Sequence, residues 1–116
     1  MERIILDNGG GIVLQLCGYA HSYDCAGQAA EDLAAWWRDG DTSSWDGHDA
    51  DLAAIEPSPA EIANDGVRIV DAASPDAAVR GLAALDYWAN AQNLALAIRS
   101  RMQVGPPGEG QAFPSR

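Results

Sequence analysis

Cys17, Cys25, His21 and His48 are the side chains of this chain with the atoms for a zinc site or a thiol nucleophile. Their spacing argues against both. Structural zinc sites set paired ligands about two to four residues apart on a knuckle, whereas Cys17 falls inside an apolar strand-like run and Cys25 at a helix start. A thiol–imidazole pair, Cys25 with His21 or Cys17 with His48, needs an orienting group and an oxyanion site, and no local pattern supplies them. Asp39-Gly40-Asp41-Thr42-Ser43 opens like a calcium loop, but the EF-hand pattern then requires glycine at Ser44 and a bidentate glutamate at Ala50. Thr42, Ser43 and Ser44 sit in no nucleophile elbow, and the glycines at Asn8-Gly9-Gly10-Gly11 join two strands instead of preceding a helix. The expectation is a protein with no catalytic residues, no metal and no cofactor.

Charge is the feature with physical consequences. The net charge is −10, and thirteen of the seventeen acids lie in 24–76 against two of the seven arginines, leaving −11 there and +1 elsewhere. All basic residues are arginine. Such a field repels nucleic acid and anionic membranes and favours a basic macromolecular surface. The densest part is 39–51, where Asp39, Asp41, Asp46, Asp49 and Asp51 are interleaved with small polar residues and Trp45. Trp36 and Trp37 precede it. About 100° apart on a helix, adjacent indoles cannot both enter one core, so Trp37 and Trp45 are candidate apolar anchors within an acidic rim. The competing reading places Trp36 in the core, Trp37 half-buried and Trp45 closing the loop.

The elements that position these groups follow from periodicity and turn chemistry. The runs 3–6 and 12–17 flank Asn8-Gly9-Gly10-Gly11 and predict an N-terminal β-hairpin. Residues 18–24 read as a connector. Helical spacing of Ala29, Leu33 and Trp36 predicts a helix over 26–38, with Asp24 as its cap and Gly40 as its stop. Residues 52–55 add one helical turn. Ser58-Pro59-Ala60-Glu61 is a capping box opening a short helix that stops at Asp65-Gly66, and Val67–Asp71 alternates as a third strand. Ser74-Pro75-Asp76 starts the longest helix, to Met102, either continuous or bent near 86–90. Together these give an α+β domain over 1–104, a small sheet of hairpin plus third strand packed by a mid-chain helix and a long C-terminal helix, and a flexible tail over 105–116. With 47% hydrophobic residues, no long apolar span and few cysteines, the chain is expected to be a soluble cytoplasmic protein.

In size, charge and composition, with Trp45-Asp46-Gly47-His48-Asp49 as its one motif-like segment, the chain resembles small acidic phage and mobile-element proteins of the anti-CRISPR kind. That resemblance implies a non-enzymatic inhibitor whose acidic surface competes with nucleic acid for a basic groove on a bacterial CRISPR effector or its helicase-nuclease. The docking set is then Asp39, Asp41, Asp46, Asp49 and Asp51 with Trp37 and Trp45. Two other classes compete. One is an accessory protein forming a homodimer through the long C-terminal helix, with Tyr87, Trp88 and Met102 in contact. The other is a small metal-binding protein.

Overall fold

The computed structural model describes residues 2–16, 18–43, 57–64 and 66–103. Cys17, Trp45, Asp46, His48, Asp49, Asp51, the turn at 52–55, Asp65 and the tail therefore lie outside the described residues. The architecture is α+β. Strands β1 (Arg3–Asp7), β2 (Ile12–Leu16), β3 (Tyr19–Tyr23) and β4 (Val67–Asp71) form an antiparallel sheet in the order β3-β2-β1-β4. Helices α1 (Ala26–Asp39), α3 (Pro75–Ala83) and α4 (Ala89–Met102) cover one face, and the short α2 (Pro59–Ala63) leads into β4.

The first reversal forms as its glycines dictate. Leu6 pairs with Ile12, Gly10 takes φ +104°, and the Asp7 carboxylate accepts the Gly11 amide at 3.1 Å. The second reversal corrects the reading of 18–24 as a connector: Tyr19–Tyr23 is a fourth strand, paired with β2. Leu16 faces Tyr19 across a tight turn in which Gly18 adopts φ +82°, a conformation that carries no Cβ penalty for glycine. Tyr19, His21 and Tyr23 are the alternating side chains on one face, and the His21 ring meets Tyr23 edge-on at 4.6 Å.

Strand parity separates the two faces. Ile4, Leu6, Ile12, Leu14, Leu16 and Val70 turn toward the helices and join Leu33, Val79, Leu82, Leu94 and Ile98 in one buried cluster. Arg3, Ile5, Val13, Gln15, Ile69 and Asp71 occupy the other face by register. There Gln15, only 4% exposed, accepts Arg3 Nε at 2.7 Å. Helix α3 approaches β4 so closely that a Cβ on Gly81 would stand 2.6 Å from Val70 Cγ1.

The C-terminal helical region is realised in its bent form. It consists of α3 and a fourteen-residue α4, with the break at 84–88. Trp88 stands at the break. Extended at φ −108° and 4% exposed, it packs in the core. Gln92 Nε2 then donates to the carbonyls of Leu82 and Leu85, both at 3.2 Å, and so satisfies groups left open where α3 ends.

Candidate functional site

Helix α1 is built by small residues on one side and acids on the other. Ala29, Ala30, Leu33 and Ala34 are buried, and at about 100° per residue the opposite face carries Gln28, Glu31, Ala35 and Asp39, flanked by Asp32 and Arg38. Asp24, immediately before the helix, is exposed. It is not the cap expected for it. Cys25 holds the N-cap position in extended geometry with no side-chain capping bond, so Asp24 keeps its carboxylate in solvent. Gly40, at φ +67°, ends the helix as expected and returns its amide to the Trp36 carbonyl at 2.8 Å.

From Asp24 to Asp41 five acids oppose one arginine. Arg38, exposed on the flank of this face, donates Nη1 to the Arg101 carbonyl at the end of α4, at 3.3 Å. Asp32 is partly engaged. Its carboxylate accepts the Tyr23 hydroxyl at 2.5 Å and Gln28 Nε2 at 3.2 Å, locking α1 to β3. Asp41 accepts the Ser43 amide at 2.9 Å, and the Ser43 backbone and side-chain hydrogen bonds hold its carboxyl below the usual 3.8. Glu31 and Asp39 make no hydrogen bond among the described residues. Asp39 also ends a helix, where negative charge opposes the macrodipole and lowers helix stability. Its placement favours surface charge over fold stability.

Other acids in the described chain serve the fold. Glu61 completes the capping box, with Ser58 Oγ accepting the Glu61 amide at 3.2 Å and Glu61 Oε1 accepting the Ser58 amide at 2.9 Å. Asp71 Oδ1 accepts the Ala73 amide at 2.9 Å. The acid surplus is thus divided. Local capping takes one carboxylate oxygen each of the exposed Glu61, Asp71 and Asp41, while α1 turns a polar side about 21 Å long away from the core.

Trp37 has a structural role of its own. Its indole is half-buried against the core, and Nε1 donates to the buried Ala72 carbonyl at 2.9 Å, tying α1 to the β4–α3 connection. Trp36 is half-buried beside it, ring centroids 6.5 Å apart. Of the remaining docking residues Asp39 and Asp41 are exposed, and Trp45, Asp46, Asp49 and Asp51 fall outside the described residues. The contact set for a homodimer is also rearranged. Trp88 belongs to the core and Met102 packs against it, whereas Tyr87 and Leu96 are each 60% exposed. Glu31, on the same side of α1 as Asp39, and Asp32 beside it were not grouped with Asp39 in the sequence, although their helical spacing was the available signal.

Cys25 is exposed and free, and His21 lies on β3. No group of three or more His, Cys, Asp or Glu side chains converges among the described residues. No helix among them is long and apolar enough to cross a membrane. No family model, curated protein or solved structure matches the chain.

Proposed function

We propose that this is a non-enzymatic cytoplasmic protein that docks an acidic face on the basic surface of a bacterial nucleic-acid-handling protein, as anti-CRISPR inhibitors of similar size and charge do. The observation that supports this reading is the solvent-facing side of α1, where Glu31 and Asp39 are exposed with the half-buried Asp32 beside them, and the exposed Asp24 and Asp41 precede and follow the helix. Nucleic-acid-handling proteins present rows of lysine and arginine to phosphates, and a fixed array of carboxylates engages the same rows. A CRISPR effector subunit or its helicase-nuclease is the class of partner. Occupying its groove excludes the nucleic acid without any chemistry on either molecule. Asp46, Asp49 and Asp51 extend the docking set along the sequence, with Trp45 as its apolar anchor.

Complementary charge chiefly raises the association rate, so binding weakens as salt screens it, with a Debye length near 10 Å at 0.1 M and near 3 Å at 1 M. The test is inhibition of the captured partner by the protein and by two neutralised forms. One carries Asp24→Asn, Glu31→Gln, Asp39→Asn and a second adds Asp41→Asn, Asp46→Asn, Asp49→Asn and Asp51→Asn. Stepwise loss of inhibition supports the reading. Full inhibition by the second form, or binding indifferent to salt, refutes it.

A further inference from the structure

The tip of the β1–β2 hairpin carries the only Asn-Gly step of the chain, Asn8-Gly9. An asparagine side chain can be attacked by the next peptide nitrogen, and a following glycine leaves that approach open because it has no Cβ. A fold blocks the reaction by engaging either group. Here it engages neither: Asn8 and Gly9 are exposed, and among the described residues neither the Asn8 side chain nor the Gly9 amide has a hydrogen-bond partner.

Comparable steps elsewhere are held or crowded. At Asp39-Gly40 the glycine amide is donated to the Trp36 carbonyl at 2.8 Å. Asn90 gives its side-chain nitrogen to the carbonyls of Asp7 and Gly11, both at 3.3 Å, and Asn93 is followed by the buried Leu94 within α4. Asn8 differs in both reacting groups.

We propose that Asn8-Gly9 is a site of spontaneous modification whose only co-reactant is water. The Gly9 nitrogen bonds to Asn8 Cγ, the Cγ–Nδ2 bond breaks, and the side-chain nitrogen leaves as ammonia with the Gly9 amide proton, giving a cyclic imide. Water then opens the ring. Cleavage of the new bond leaves aspartate, whereas cleavage of the original peptide bond leaves isoaspartate with the main chain running through Cβ, and no atom changes oxidation state. Either product adds a negative charge to a chain of −10, beside the exposed Asp7.

The two products differ in what they do to the turn. The Gly10 amide bonds to the Asp7 carbonyl at 3.1 Å across residues 8 and 9, whereas the Asn8 amide, which precedes the altered bond, reaches the Gly66 carbonyl at 2.9 Å. Isoaspartate inserts a main-chain atom inside the first of these loops, so the Gly10 bond is lost and the Gly66 bond is kept. Aspartate keeps both. None of this rests on the docking of α1.

The test is incubation of the folded full chain in mildly alkaline buffer beside the capped peptide Leu-Asp-Asn-Gly-Gly-Gly, with ammonia release and peptide mass mapping as readouts. The 8–9 step should gain the mass of an amide turned to an acid at a rate within about tenfold of the free peptide, while Asn90 and Asn93 stay intact. Asn8→Gln should abolish the change. Gly9→Ala should slow it about tenfold or more, since Gly9 lies outside the left-handed region and accepts a Cβ there, 3.2 Å from Asp7 Oδ1. If that Cβ disturbs the turn, the peptide comparison decides alone. In the purified isoaspartate form the Gly10 amide should exchange faster with the Asn8 amide unchanged. A folded chain more than about a hundredfold slower than the peptide, reaction only after denaturant is added, or equal reaction at Asn90 would overturn the proposal.

Discussion

Trp37 shows how one side chain can carry two opposite meanings in sequence. An indole beside a carboxylate run has the composition of a binding hot spot, yet its N–H is donated to Ala72, a residue with no exposed surface. Replacing Trp37 with Phe leaves that carbonyl unsatisfied at a cost of about 1–3 kcal/mol in chemical denaturation, with capture of the basic partner unchanged. Loss of capture without loss of stability would restore Trp37 as an anchor. Asp41 is legible for the opposite reason, because an aspartate two residues before a serine in a glycine-flanked turn accepts its backbone amide. Its carboxyl is held below 3.8, so the turn contributes stability above the ordinary aspartate value and loses it as pH falls through the lowered one. In NMR titration the Ser43 amide should move with a midpoint below 3.8, and a midpoint at or above that value would contradict the hydrogen bond.

At the scale of elements, punctuation was more readable than continuity. Gly40 and the serine–proline starts at Ser58 and Ser74 mark real ends because each supplies a backbone conformation or a hydrogen bond that its helix requires. Ser74→Ala should destabilise the protein by about 1 kcal/mol, since Ser74 Oγ accepts the Ala77 amide at the start of α3. An unchanged denaturation midpoint would show that the cap is not used. Strand β3 was missed because histidine and serine interrupt its aromatic alternation, and its turn carries a single glycine instead of the familiar pair. The break before α4 was half-legible. Helical spacing continues through it, and only Trp88 and Gln92, which act through the core and through distant carbonyls, reveal where the chain must bend. Asp39 supplies the sharpest test at this scale. Asp39→Asn should stabilise the helix by about 0.3–1 kcal/mol by removing a charge that opposes its dipole, and should weaken partner binding at low salt. Stabilisation without weaker binding would mean that Asp39 takes no part in docking.

Across the whole molecule, the α+β class and the lopsided charge were both plain in the sequence, since each is a sum over many residues. What could not be read was how the acids divide. Thirteen in one stretch suggested a single surface, whereas Glu61 and Asp71, though exposed, each bond a neighbouring backbone amide and α1 keeps Glu31 and Asp39 in solvent. That division depends on which amides lie within reach, a property of the folded chain. That β3 and β4 are the edge strands is likewise a consequence of strand order, which periodicity does not encode. An acidic face on a stable body predicts association that is fast and salt-sensitive, with the fold itself little affected by neutralising exposed carboxylates.

Capture from bacterial lysate at low and high salt, with the native chain and the Asp24→Asn, Glu31→Gln, Asp39→Asn, Asp41→Asn form side by side, addresses the α1 surface most directly. The native chain should retain a nucleic-acid-handling protein at low salt and release it at high salt, and the neutralised form should retain at least about tenfold less. Equal recovery by both forms, or a catch that survives high salt undiminished, would contradict the account.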